Sequence, residues 1–176
     1  HRPVMAETKV SFSIQYKTEA TERYFSQFWG SELEAVLEAM RDAAGKAMKP
    51  VLQRSYIASG VGRKTGNLYR SIKAVKIKRQ PGTIGVIAGP IPGKRGGNHR
   101  HLIEFGTAAH RIYPKENGVL RAAFGYAKLV QHSGSRAKPF VTPAAASALE
   151  AGQQAADDVL GKYIERANAL SSVEAA

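Results

Sequence analysis

The chain has 176 residues, no cysteine and a net charge of +12 at pH 7, with 26 lysines and arginines against 14 aspartates and glutamates. This length and a hydrophobic share of 43% predict one folded domain with a substantial core. The lack of cysteine excludes disulfides, thiolate zinc sites and cysteine nucleophiles. No apolar run approaches the roughly 20 residues of a membrane span, so we expect no membrane partner. The excess positive charge favours polyanions or acidic protein surfaces as partners.

The N-terminal part predicts a flexible segment followed by a strand. Residues 1–9 lack the apolar stretch of a secretion signal, and Met5 is a candidate start, which would make residues 1–4 a leader. From Val10 to Tyr16, apolar and polar residues alternate. This period of two is typical of a half-buried strand.

A long helix is predicted next. Ser31 and Glu34 form a capping box, and apolar residues follow at helical spacing as far as Leu52. Pro50 lies inside this pattern and is predicted to kink the helix or to end its first half at the preceding residue. A helix that continues to about Ile57 would be roughly 40 Å long.

The middle of the chain predicts a hairpin. Thr65 to Ile72 indicates a short turn that leads into a strand ending near Arg79, in which apolar residues are interleaved with lysines. Pro81-Gly82 forms a turn, and Thr83 to Gly89 is the returning strand. The glycine-containing stretches 58–66 and 90–100 are predicted to be loops.

The last third predicts short strands and a second long helix. Strands are expected at 110–113, 119–124 and 126–131. Thr142 is a suitable helix N-cap, and Pro143 suits the first helical position. The apolar stripe of this helix is formed by Leu149, Ala156, Leu160, Tyr163, Ile164 and Ala167.

The order of elements is strand, helix, a group of strands, and helix. It predicts an α+β fold, a mainly antiparallel sheet packed against two long helices, with an inserted hairpin and long loops. We expect a single domain over residues 10–170, between the flexible segment 1–9 and a frayed C-terminal tail at 171–176.

Two stretches, 101–107 and 138–143, predict irregular turns. Phe105 and Phe140 each stand next to a backbone breaker, so each is predicted to anchor a turn onto the apolar core. Glu104 is the one carboxylate with an apolar frame. It would pair with an arginine or with backbone amides, or it would serve as a catalytic base; we favour the structural interpretation.

No sequence pattern supports a catalytic, cofactor-binding or metal site, and we predict that the protein is not an enzyme. Gly93-Lys94 lacks both the upstream glycine and the hydroxyl residue of a phosphate-binding loop. His99, His101 and His110 have few carboxylates near them in sequence, which favours solvated histidines over a zinc site.

Two groups of basic residues form a candidate interface or basic patch if the hairpin brings them to one side. They are Arg63, Lys64, Lys73, Lys76 and Lys78 in the first group, and Lys94, Arg95 and Arg100 in the second. One interpretation is a phosphate-binding surface. We favour a solvated surface that faces a protein partner, because no aromatic residues interleave with these lysines for base stacking.

Three short motifs follow the first helix. The first contains Thr65, Gly66, Leu68, Ser71 and Ile72, the second is Glu104, Phe105, Gly106 and Thr107, and the third contains Pro139, Phe140 and Pro143. This set, over about residues 33–167, resembles the HK97 gp10-like family of tailed-bacteriophage neck and tail-completion proteins, also called minor tail proteins. Residues 108–137 depart from many relatives and resemble an inserted hairpin of longer members.

The resemblance implies a structural virion subunit. Such a subunit forms a homo-oligomer, a hexameric ring that joins the tail to the head connector. Its partners would be other phage neck and tail-tube proteins, and genomic DNA if basic residues face the lumen. It would lie in the neck or tail of the particle after assembly in the host bacterial cytoplasm. Its motifs would be fold-defining turns, and the loops 58–66 and 90–100 would dock on neighbouring rings.

Two other interpretations stay open. A basic nucleic-acid-binding domain would account for the net charge, and an enzyme would use Glu104 or His110. Ring formation supports the virion subunit, and duplex binding that weakens steeply with salt supports the nucleic-acid-binding domain. Turnover that is lost on Glu104→Gln supports the enzyme.

Overall fold

The computed structural model describes residues 10–15, 32–62, 66–77, 83–93, 97–115, 118–122 and 125–174. Its helices and strands, in chain order, are β1 (Val10–Gln15), α1 (Glu32–Ala58), α2 (Asn67–Ser71), β2 (Ile72–Lys76), β3 (Thr83–Pro90), a 3-10 turn (Gly97–His99), α3 (Arg100–Phe105), β4 (His110–Ile112), β5 (Leu120–Ala122), β6 (Gly125–Ala127), β7 (Val130–His132) and α4 (Ala145–Glu174). The long helices α1 and α4 pack on a three-stranded antiparallel sheet, which confirms the predicted α+β class. No helix within the described ranges is long and apolar enough to cross a membrane.

The sheet has the strand order β1-β3-β2, so β3 is central. The register pairs Val10 with Ala88 on one side of β3 and Ile72 with Pro90 on the other, and both ladders are antiparallel. The predicted hairpin of the middle segment is therefore confirmed. The stretch before it, predicted as a turn, forms the short helix α2, with Gly66 in a left-handed conformation (φ 67°) at its N-terminus.

The helix α1 has 27 residues and passes through Pro50 to end at Ala58. The prediction that Pro50 could end the first half of the helix is therefore wrong. A proline inside a helix costs about 3 kcal/mol because it removes a backbone hydrogen bond. Packing outweighs this cost, because side chains before and after Pro50 are fully buried, among them Met48, Leu52 and Tyr56. Ser31, the predicted cap, lies outside the described residues.

Small residues let α1 approach both of its neighbours closely. A Cβ atom on Gly152 of α4 would lie 2.8 Å from Cγ of Met48, and one on Gly45 would lie 2.9 Å from Cβ of Ala74 in β2. One flank of α1 thus packs against α4 and another packs against the sheet. The buried face of α4 is accordingly made of small residues: Ala148, Gly152 and Ala156.

The predicted apolar stripe of the last helix is only partly correct. Ala156 is fully buried, and Leu160 and Tyr163 pack against the core. Leu149 and Ile164, by contrast, are each 41% exposed. The physical reason is the close approach of α1, which selects alanine and glycine at the contact and leaves these large side chains outside it.

The last helix also starts later than predicted. α4 begins at Ala145, whereas Thr142 and Pro143 belong to a turn that precedes it. The N–H groups of Ala144 and Ala145 bond to the carbonyls of Val141 and Thr142, three residues back. Such bonds make a tighter turn than an α-helix, so Thr142 is not the N-cap of α4.

The described residues between 108 and 137 form an arm of two short antiparallel ladders between α3 and α4. β4 pairs with β7 and β5 pairs with β6, both antiparallel, and none of the four pairs with the three-stranded sheet. The single strand predicted at 126–131 is two short strands, because this part of the chain pairs first with β5 and then with β4. Several large apolar side chains of the arm are exposed, namely Tyr113, Val119, Tyr126 and Leu129.

Candidate functional site

The carboxylate of Glu104 joins the two stretches that the sequence analysis singled out. Glu104 lies on α3, is 2% exposed, and accepts hydrogen bonds from three successive backbone N–H groups. Its Oε2 lies 3.0 Å from the nitrogen of Phe140 and 3.1 Å from that of Val141, and its Oε1 lies 2.7 Å from that of Thr142. The pairing with backbone amides that the sequence suggested is therefore present.

The surroundings of Glu104 favour its ionised form. Burial raises the pKa of this carboxyl, but hydrogen bonds from the N–H groups of Phe140 and Thr142, the Thr142 hydroxyl and the Val141 N–H outweigh burial and hold the pKa below its usual range. A carboxyl with a lowered pKa is a weak general base near neutral pH. What it can do is fix the path of the chain into α4.

Gly106 and Thr107 close the base of the arm. Gly106 has φ 72°, and a Cβ atom there would lie 2.5 Å from the carbonyl oxygen of Ser135, so only glycine fits without a shift of the backbone. Thr107 and Ser135 exchange two backbone hydrogen bonds of 2.9 and 3.0 Å, and their hydroxyls lie 2.9 Å apart. Gly134 is the matching glycine on the returning chain, with φ 85°. The second motif thus sets where the arm leaves the body.

An aromatic chain connects the third motif with the first. Phe140 is fully buried and packs edge-on against Tyr56, with ring centroids 5.2 Å apart. Tyr56 in turn contacts Tyr69, which lies in the stretch of the first motif, at a centroid distance of 5.6 Å. The hydroxyl of Ser55 donates to the carbonyl of Phe140 at 2.7 Å. All three motifs therefore meet near the C-terminal end of α1.

The remaining residues of the first motif also have structural roles. The hydroxyl of buried Ser71 donates to the carbonyl of Leu68 at 2.6 Å, and its own carbonyl accepts from the N–H of Ile91 at 2.8 Å. Ile72 lies in the core, and Leu68 packs against it. Thr65 lies outside the described residues.

One motif residue lies where the sequence analysis did not expect it. Phe105 is 54% exposed and does not anchor a turn onto the core, so that prediction is wrong. Glu104 points inward, whereas Phe105, one position along the helix and about 100° around it, lies on the exposed side. Pro139 and Pro143 are exposed as well.

The predicted basic patch falls only partly within the described residues. Three of its members are described: Lys73 and Lys76 lie on β2, whereas Arg100 lies at the start of α3, where its guanidinium donates to the carbonyl of Gly97 at 3.1 Å. Lys73 and Lys76 line the same cavity, and Arg100 is not among the residues that line it. The members outside the described residues are Arg63, Lys64, Lys78, Lys94 and Arg95.

A basic groove that the sequence analysis did not predict runs between α1 and β2, an edge strand of the sheet. Two adjoining cavities of about 440 and 430 Å³ form it, and both are lined by Lys49 and Lys73. Lys46 and Lys49 are one helical turn apart, a spacing that is visible in the sequence. Their position beside β2 depends on tertiary packing, so it is not visible in the sequence. The cations of the groove are Arg41, Lys46, Lys49, Arg70, Lys73 and Lys76.

One end of the basic groove holds a cluster of charged side chains. Lys76 pairs with Glu38 and with Asp42 at 3.2 Å, and Arg41 pairs with the second oxygen of Glu38. The hydrogen bond from Lys76 lowers the pKa of Glu38, and the same bond raises the pKa of Lys76. Arg41 is only 7% exposed, and its Nε atom has no hydrogen-bond partner among the described residues. This end of the groove therefore retains an unused buried donor.

The four described histidines do not form a common site. His110 and His132 face each other across the β4–β7 ladder, with ring centroids 5.0 Å apart. His99 lies in the 3-10 turn and His101 on α3. In the part of the chain that the structure describes, no three His, Cys, Asp or Glu side chains are grouped as a metal ion would require.

Comparison with protein-family models, with curated proteins and with solved structures finds no match to this chain.

Proposed function

We propose that the chain is a structural subunit of a tailed-bacteriophage particle, a ring-forming neck or tail-completion protein without enzymatic activity. In this role it would join the tail to the head connector, as a hexameric ring in contact with tail-tube and other neck proteins. The observation that carries the proposal is the meeting of the three resemblance motifs at one junction, where Glu104 binds the amides of Phe140 to Thr142.

This junction supports the proposal because it gives the motifs a joint physical purpose. Glu104 can satisfy three amides only if Gly106 permits the sharp departure of the chain after α3. Phe140 is buried against Tyr56, and the ring of Tyr56 also contacts Tyr69. Residues that depend on one another in this way form one structural unit. A set of motifs that marks a fold is expected to consist of such residues.

The exposed surface of the arm also supports a role in assembly. Tyr126 is 76% exposed, Tyr113 63% and Val119 56%. Several exposed large apolar side chains on one element are typical of a surface that a partner covers. We assign the arm to contacts with adjoining rings of the particle, alongside the stretches 58–66 and 90–100, for which the resemblance implies docking.

Light scattering and negative-stain electron microscopy of the purified chain test this proposal. We expect a discrete ring with about six times the 19.0 kDa mass of one chain, or saturable binding to a tail-tube or connector protein. The arm variant Tyr126→Ser should weaken binding to the adjoining ring without lowering the stability of the body. A chain that stays monomeric at every concentration and binds neither partner would contradict the proposal.

The alternative function is that of a basic nucleic-acid-binding domain. The observation that favours it is the row of exposed lysines in the basic groove, Lys46, Lys49 and Lys73. A monomer whose affinity for duplex DNA falls steeply with salt would support it. If rings form and DNA binding survives only within them, basic residues line the lumen and both functions hold.

A further inference from the structure

The basic groove contains cations that no described residue of the chain neutralises. Among the described residues, no carboxylate lies within ion-pair distance of Lys46, Lys49 or Lys73. All three are exposed. Together with the buried, unpartnered Nε atom of Arg41, they give the groove an excess of donors and positive charge. Such a concave surface fits a convex, acidic partner.

A surface of that description exists on the same chain. The outward side of α4 carries four exposed carboxylates, an adjacent pair flanked by one carboxylate about two turns before it and one about two turns after it. At about 100° per residue, all four fall within roughly 100° of the helix circumference and form one strip. Lys162 and Arg166 lie outside this strip. Leu149 and Ile164, each 41% exposed, add apolar area beside it. The strip, called the acidic face below, consists of Glu150, Asp157, Asp158 and Glu165.

The acidic face and the basic groove cannot meet within one copy. Positions two apart on a helix point about 200° apart. Met48 faces Gly152 of α4, so Lys46 points to the opposite flank of α1, where the groove lies. The sheet separates the two surfaces in the same way. α4 contacts β1 at one edge of the sheet, and β2, which lines the groove, is the opposite edge.

The two surfaces also have similar lengths. The α1 residues that line the groove run from Arg41 to Gln53, about 18 Å at 1.5 Å per residue. The acidic face runs from Glu150 to Glu165, about 22 Å on the same scale. A helix could therefore lie along the whole groove with its carboxylates near the lysines.

We propose that the acidic face of one copy binds in the basic groove of the next, so that copies associate head to tail. The inference rests on the proposed function, since it names the contact by which the ring is built. Two different surfaces on opposite sides of a subunit make a heterologous contact, which closes into a ring when the rotation between copies permits. The contact is screened by salt, because its charges are exposed.

Charge reversal tests the contact. The groove variant is Lys46→Glu/Lys49→Glu, and the face variant is Asp157→Lys/Asp158→Lys. A matched control is Arg54→Glu/Arg166→Glu, which reverses two exposed charges on the long helices, outside both the basic groove and the acidic face. In light scattering at low salt, we expect each of the first two variants to associate at least tenfold more weakly than the wild type, while the control is unchanged.

Mixing the two variants separates a lost contact from a misfolded chain. In an equimolar mixture, each reversed groove meets a reversed face and each natural groove meets a natural face. Both contacts are attractive, so we expect alternating assemblies to form from two chains that do not assemble alone. Restoration on mixing cannot come from a damaged fold.

The lack of cysteine allows a second measurement that also detects a weak contact. The chain with Lys49→Cys and Asp157→Cys should be linked by a short bismaleimide into a ladder of oligomers, whereas Lys49→Cys with Lys115→Cys should not.

The outcomes separate the two proposals. A wild-type chain that forms rings, with variants that form them equally well and give no ladder, overturns the inference and leaves the proposed function standing. A wild-type chain that neither assembles nor binds phage partners overturns both. Loss of duplex DNA binding in the groove variant, with assembly unchanged, would assign the groove to nucleic acid and overturn the inference.

Discussion

Glu104 accepts a 2.7 Å hydrogen bond from the backbone N–H of Thr142, although 38 residues separate the two. The whole arm lies between them, so this bond and its two neighbours fix where the chain returns to the body. The buried carboxylate thus links α3 to the turn that opens α4.

Removing the charge of Glu104 should destabilise the fold. Glu104→Gln keeps the shape but places an amide NH2 group against backbone donors, so at least one buried N–H loses its acceptor. We expect a loss of about 2–4 kcal/mol in the free energy of unfolding, measured by denaturant titration. Glu150→Gln is the matched control on an exposed site and should change stability by less than about 0.5 kcal/mol. Equal effects of the two substitutions would contradict the role assigned to Glu104.

The stability contributed by Glu104 should depend on pH. The pKa of this carboxyl is lowered in the folded protein, so its contribution is fully present above the pKa of the unfolded chain, about 4.3. It is lost as the pH falls from there through the folded value. The difference in unfolding free energy between wild type and Glu104→Gln should therefore shrink below about pH 5. A difference that is constant from pH 7 to pH 3 would contradict the ionised state of Glu104.

Gly106 should tolerate no side chain. Its φ of 72° is costly for alanine, and the added Cβ would lie 2.5 Å from the carbonyl oxygen of Ser135. We expect Gly106→Ala to lower the unfolding free energy by about 2 kcal/mol or more. Gly161→Ala is the control, because a Cβ there meets no atom within 4 Å and the site lies inside α4. It should stabilise the protein by about 0.5–1 kcal/mol, and thermal unfolding of both variants would reveal the opposite signs.

The contact between α1 and the sheet should be specific to small side chains. Gly45→Ala would place two Cβ atoms 2.9 Å apart, its own and that of Ala74, and we expect a loss of about 1–3 kcal/mol. In the Ala74→Gly background the same substitution should cost less, because the clashing atom is gone. A double-mutant cycle measures this coupling, and additive effects would show that the two positions do not touch.

The two phenylalanines of the motifs should behave in opposite ways. Phe140 is fully buried against Tyr56, so Phe140→Ala should cost about 3–5 kcal/mol. Phe105 is 54% exposed, so Phe105→Ala should leave stability within about 0.5 kcal/mol. If Phe105 lies in an interface of the assembled particle, its substitution should weaken assembly while the monomer unfolds at the wild-type temperature. Calorimetry and light scattering on the same samples would check both parts.

Local patterns in the sequence were sufficient for the hairpin and for the pairing of Glu104. The alternation of apolar residues and lysines around Ala74 predicts a half-buried strand, because side chains of a strand point to opposite faces. A carboxylate framed by Ile103 and Phe105 has to find buried donors, and backbone amides were among the two kinds considered. In both cases the signal lies within a few residues.

The misjudged features depend on contacts between distant parts of the chain. The predicted apolar stripe of α4 includes Leu149 and omits Gly152, whereas the close approach of Met48 selects Gly152 and leaves Leu149 outside. The basic groove was missed for the same reason. Lys49 alone indicates a solvated helix flank, and only the packing of α1 beside Lys73 makes a concave cationic surface.

Because Thr107 pairs with Ser135, the arm leaves the body and returns to it at the same place. Since the entropic cost of closing a loop rises only slowly with its length, insertions between these two residues should change the folding free energy very little. A shorter loop, a longer hairpin or a foreign peptide grafted between Ala108 and Gly134 would leave the structure and stability of the helices and the sheet nearly unchanged. The helices and the sheet thus form a stable body, and the length and sequence of the arm can vary without disturbing it.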